Sequence, residues 1–122
     1  MYYTYIDIDS IVVHMGFNDI MEGSSEQLKL VFKELIDSLL DTNKRPIISG
    51  PVPSLNRGIE CFSMILSLHN WLCDYCSSMG VTFVDNFDTF WKQNTFYKED
   101  GIHPNHLGSW MLSQRYKAAL RQ

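Results

Sequence analysis

Basic residues are in short supply in this sequence. Lys and Arg number 10 against 14 Asp and Glu, a formal charge of −4. Contacts to a phosphate backbone need a surplus of cations, so no nucleic acid is expected to bind through this domain. The one local concentration, Lys44-Arg45, is only a pair. Long apolar runs are also lacking. Nothing approaches the roughly 20 residues that span a bilayer, so no transmembrane segment is expected. The first residues, Met1-Tyr-Tyr-Thr-Tyr-Ile-Asp7, carry an acid where a secretory signal needs bases and have no apolar core. Export through this end is therefore not expected. Cysteine is sparse and odd in number: Cys61, Cys73 and Cys76. An unpaired count with an i,i+3 spacing on a helix implies reduced thiols and a cytoplasmic home. Repeats, linkers and low-complexity segments are absent as well.

What remains is the composition of one globular domain. A chain of 122 residues, 45% of them hydrophobic, can bury about two-thirds of its unfolded surface. Ser10–His14 is a β-branched run without polar alternation, the pattern of a strand buried on both faces. It enters Gly16-Phe-Asn18-Asp19, which reads as a loop. Ser24 opens a helix with Gln27 at capping-box spacing. Leu28, Val31, Phe32, Leu35, Ile36, Leu39 and Leu40 give that helix a broad apolar face. Pro46–Gly50 is a second strand, stopped by Pro51 and Pro53. A helix follows over Ile59–Met79, with Phe62, Leu66, His69, Cys73 and Cys76 on one stripe and Gly80 as its cap. Val81–Val84 is a third strand, followed by a long aromatic loop through Trp91, Phe96 and Tyr97. The last helix, Leu107–Leu120, is expected to carry Leu107, Trp110, Met111 and Ala118 inward. Strand-helix alternation of this kind predicts a parallel sheet with helices on both faces.

Chemistry concentrates in Asp100-Gly-Ile-His103-Pro104-Asn105. An Asp and a His three residues apart can share one side of the backbone. The carboxylate then accepts from one imidazole nitrogen and leaves the other free as a base. Pro104 stiffens the loop, and Asn105 suits the N-cap of the following helix. Ligands of open α/β sheets bind off the carboxyl ends of the strands. Gly16-Phe-Asn18, the Gly50-Pro51 turn and the Asp100–His103 loop all fall at that edge.

Two metal readings compete. Asp100-x2-His103-x2-His106 has ligand types, but His106 begins a helix and can face away. His69-x3-Cys73-x2-Cys76 lies on an apolar stripe, where core packing is the simpler account. No metal and no cofactor is therefore expected. His14 reads as a strand-end residue. Trp91, Phe96, Tyr97 and Trp110 read as packing rather than as an acyl pocket.

Gly16-x-Asn18-Asp19 after a strand, with Asp100-x-x-His103-Pro104 before the last helix, resembles the SGNH (GDSL-type) hydrolases. Those are flavodoxin-like esterases and lipases. The fuller wording, His14–Ile20, Ser49–Pro53 and Asp100–Ser109, is similar to fish retrotransposon-type esterase domains. The resemblance implies an oxyanion hole from the Asn18 side-chain amide and Gly16, with His103 as general base and Asp100 as its orienting partner. It implies carboxylic ester hydrolysis by a Ser-His-Asp mechanism, acting on a small ester or acyl substrate.

The family places its nucleophile in a Gly-Asp-Ser block upstream of the Gly-x-Asn motif. Only fifteen residues precede Gly16, whereas a strand-helix-strand unit needs about 30. The expectation is thus a single partial domain over 1–122, a flavodoxin-like sheet of about three strands with no nucleophile of its own. Asp9-Ser10-Ile11 is a decoy. Ser10 opens the strand that Gly16 ends, about 20 Å away along the chain, and a general base must lie within about 3 Å of its hydroxyl. Little or no esterase activity is expected, with a non-catalytic interaction module or mobile-element remnant as the alternative. The Ser10–His14 strand would also be an uncovered edge open to self-association.

Overall fold

The computed structural model describes residues 2–6, 9–55 and 57–121. Its sheet has four strands in the order β1 (Tyr2–Ile6), β2 (Ser10–Met15), β3 (Arg45–Ser49) and β4 (Thr82–Val84). The last three run parallel, as the strand-helix alternation predicts. β1 pairs antiparallel with Ile11–Met15 of β2, Tyr2 opposite Met15 and Ile6 opposite Ile11. That corrects two expectations. The Tyr-Tyr-Thr-Tyr-Ile segment is a strand, as its aromatic and β-branched content favours. With β1 paired to it, β2 is an interior strand, and the edges of the sheet are β1 and β4.

The parallel strands are buried on both faces because successive residues serve two cores. Val13 and Ile48 point into a large core with Phe32, Ile36, Leu68 and Leu72. Val12, Ile47 and Val84 point the other way, onto Ala119 with Tyr116 and Leu120 beside it. The first core is roofed by α2 (Ser25–Leu40) and α3 (Ile59–Met79), the second by α5 (His106–Leu120). Between β2 and α2 lies α1 (Phe17–Glu22), and after β4 comes α4 (Phe87–Phe90).

The helix signals act as their chemistry dictates. Ser24 and Gln27 make the reciprocal capping box, and Gly80 takes the left-handed conformation that closes α3. Gly16-Phe-Asn-Asp is not a loop: Gly16 is the N-cap of α1. The α2 face is narrower than expected, since Val31 and Leu40 are exposed while Leu28, Phe32, Ile36 and Leu39 are buried. On α3 the buried stripe is Ile65, Leu68, His69, Leu72 and Cys76. Cys73 faces solvent, because one helical turn after His69 the core side has moved to Leu72 and Cys76.

α5 departs most from its reading. Leu107 and Trp110 are about half exposed, and Ala118 is exposed. The helix instead packs through Gly108 and Ala119, with Leu112 and Tyr116 between them on the same side. Gly108 sits against the Phe96 carbonyl so closely that a Cβ would occupy the oxygen's place. The smallest side chains set the approach, so hydrophobicity points to the wrong face.

Candidate active site

The carboxyl ends of β2, β3 and β4 lead into Gly16, Gly50 and Asp85, and the 94–105 loop closes over the same edge. That loop is stitched internally. Lys98 N–H donates to His103 O, Gly101 N–H to Lys98 O, and Asn105 N–H to Phe96 O. Asn105 is both cap and tie. Its Oδ1 accepts from Gly108 N–H, and its Nδ2 donates to the Thr95 and Tyr97 carbonyls. Behind the loop, Leu55 N–H donates to Gly101 O at 2.7 Å. Gly101 has φ +68, and a Cβ there would lie 2.6 Å from the Leu55 carbonyl oxygen. Only glycine fits both demands.

Within this frame Asp100 and His103 meet. Asp100 Oδ2 accepts from His103 Nδ1 at 2.6 Å. Its other oxygen accepts from the backbone N–H groups of Ile102 and His103, at 2.9 and 3.0 Å. These bonds, the imidazole's first, hold the Asp100 carboxyl well below the usual carboxylate range. A carboxylate that stays ionised keeps the Nδ1–H tautomer, leaving Nε2 with its lone pair. Both side chains are partly exposed. Among the described residues, no hydroxyl lies within hydrogen-bond distance of that Nε2.

His103 borders a cavity of about 440 Å³ that Gly16 and Asn18 also line, with Phe17, Val52, Ile102 and Leu112 as apolar walls. Asn18 lies in the first turn of α1, with Gly16 as its cap. The structure thus brings Gly16, Asn18 and His103 to one cavity, with Asp100 against His103. Ser10 is buried at the opposite end of β2, in register with Arg45. His106 is an exposed first residue of α5. Trp91 stacks on Phe87 and packs at a tilt against Phe62, and Tyr97 is buried with its hydroxyl on the Pro53 carbonyl. His69 is buried between Phe83 and Phe87, 3.9 Å from Asp85.

Sequence reading passed over a second polar cluster at this edge. His14 Nδ1 lies 2.9 Å from Ser49 Oγ. Tyr116 OH is 2.8 Å from the same oxygen, and Asn86 Nδ2 donates to it at 2.7 Å. Ser49 and Asn86 are buried, while His14 and Tyr116 reach the cavity wall. Burial pushes the His14 imidazole down to about 4, against a smaller opposing effect of a hydrogen bond with the Ser49 backbone. His14 is therefore neutral near pH 7. A signal was present: His14 and Ser49 are the polar last members of two apolar runs, and they are register partners.

No family model matches the chain, and no curated protein does. Solved structures do. The esterase domain of the ZfL2-1 ORF1 protein from the zebrafish ZfL2-1 retrotransposon is 36% identical, with a TM-score of 0.77 over 89% of this chain and 70% of that one. A member of the lipolytic protein G-D-S-L family from Veillonella parvula shares the fold at 18% identity and a TM-score of 0.67. The match spans 84% of this chain and 58% of that one. With the fold, the cavity and the zebrafish relative in agreement, the chain belongs to the SGNH (GDSL-type) hydrolase family.

Proposed function

We propose that this chain carries the base and the oxyanion donors of a carboxylic ester hydrolase. The observation that carries the reading is the 2.6 Å His103–Asp100 bond at a cavity shared with Gly16 and Asn18. In the complete reaction a serine hydroxyl passes its proton to His103 Nε2 as its oxygen attacks the ester carbonyl. The Asn18 amide and a Gly16 N–H receive the negative charge on the tetrahedral oxygen. His103 then returns the proton to the departing alcohol, while ionised Asp100 steadies the imidazolium. The cavity volume and its apolar walls suit a small acyl ester. No cofactor enters this reading.

None of the described residues offers a hydroxyl to His103, so the chain by itself is read as having little or no turnover. A base without its nucleophile loses most of the rate, because the triad acts as a unit. The same absence supports a second reading, a non-catalytic interaction module or mobile-element remnant. Hydrolysis of p-nitrophenyl acetate tests the point. The expected rate is the background rate, equal in the parent and in His103→Ala. Steady turnover that His103→Ala abolishes would show that a nucleophile is present after all.

A further inference from the structure

We infer that a second cavity, walled by Arg57, Lys92, Phe62 and Trp91, binds a small aromatic carboxylate. The inference goes beyond the hydrolase reading and does not depend on it.

The cavity measures about 450 Å³, within the roughly 300–1,000 Å³ of small-molecule sites. The 52–55 segment separates it from the ester cavity, since Val52 lines the one and Leu55 the other. Its charges are of one sign. Arg57 and Lys92 line it, and among the described residues no acid does. The chain carries a formal charge of −4, yet neither of these cations has an ion-pair partner among the described residues.

The fold positions each cation. Arg57 Nη2 donates to the Asp100 carbonyl at 3.1 Å. That bond ties one arm of the guanidinium and leaves its other N–H groups to a ligand. Lys92 is the only non-glycine residue among those described with a positive φ, +61. A side chain is held in that region at a cost, and such positions gather at ligand clamps. Its ammonium stands 5.6 Å from the centre of the Trp91 ring. The uncharged wall is aromatic and open. Trp91 and Phe62 lie 4.7 Å apart between ring centres, and Ile59, which also lines the cavity, is 79% exposed. Two cations without partners beside an open aromatic wall match a ligand with a compact anionic head and a flat apolar body. A carboxylate suits the guanidinium fork, which can give it two parallel N–H bonds. A ring attached to that carboxylate supplies the area to cover Trp91 and Ile59. The complementary probe is benzoate.

Titration of the ¹⁵N-labelled chain at pH 7 with benzoate, benzamide and acetate tests this. Benzoate is expected to shift the Gly58 and Lys92 amides and the Trp91 indole N–H. Benzamide has the same shape without the charge and is expected to leave them in place; acetate, without the ring, is expected to bind more weakly. Lys92→Gly removes the cation while suiting the positive φ, so it is expected to fold and to weaken benzoate binding about tenfold or more. Arg57→Gln, at an exposed position, is expected to weaken it independently. Equal shifts with benzamide overturn the anionic head, and equal binding of acetate overturns the aromatic body. Benzoate shifts confined to Asn18 and His103 would put the ligand in the ester cavity and overturn the inference while leaving the hydrolase reading standing. Binding unchanged in both variants, or no shift at all, overturns it too.

Discussion

Gly101 carries more of the site than its size suggests. It allows the Asp100–His103 loop to turn at φ +68 while lying against Leu55. Gly101→Ala is expected to cost about 1–3 kcal/mol, read as a lower urea midpoint with an unchanged slope. His14 gives the molecule a distinct acid sensitivity. In the folded protein it stays neutral down to about pH 4, whereas its unperturbed value is 6.5. Between those values the unfolded chain takes up the extra proton, so stability falls as pH drops from about 6.5 to about 4. His14→Gln, which cannot titrate, is expected to flatten that part of the curve of Tm against pH. Asp100 acts lower. Its carboxyl is depressed in the fold, so its contribution is present above the unperturbed 3.8 and fades only below it.

At the scale of elements, what could be read from sequence followed the strength of the local signal. The extent of α3, roughly Ile59 to Met79, was legible because a long periodic run ends at a glycine that takes the left-handed cap, but of its expected stripe only His69 and Cys76 are buried. Ser24 with Gln27, and Asn105 before α5, announced two helix starts through side chains that cap in the structure. The Asp100–His103 pair was legible because it is local, three residues apart on one loop. β1 was not, because its partner strand gives it a role that its own residues only permit. The packing face of α5 was hidden for the opposite reason. Its inward positions include Gly108 and Ala119, while Leu107 and Trp110 remain half exposed. Gly108→Ala is therefore expected to destabilise despite its better helix propensity, because the new methyl meets the Phe96 carbonyl. A Tm lower than the parent's checks this, and an unchanged or higher Tm would count against the close approach. The Ser49-centred cluster was illegible because it joins residues from β2, β3, the β4–α4 turn and α5.

Among the described residues the molecule is a sheet whose interior strands are covered on both faces and whose edge strands are β1 and β4. β2, expected from sequence to be an edge, is not one, so association by strand addition on that side of the sheet would use β1. We expect sedimentation velocity to show concentration-dependent self-association that weakens when Thr4 is replaced by Lys. No helix among the described residues is long and apolar enough to cross a membrane. The two halves of the site depend on the fold in different ways. Gly16 and Asn18 reach the cavity only because the sheet carries β2 beside the 94–105 loop. The bond between Asp100 and His103 is instead drawn within four residues of chain. The Asp100 carboxylate also holds the amides of Ile102 and His103. In hydrogen exchange those two amides answer to a carboxylate rather than to the sheet, so their protection follows the ionisation of one acid. They are a built-in indicator of whether the base is still being held.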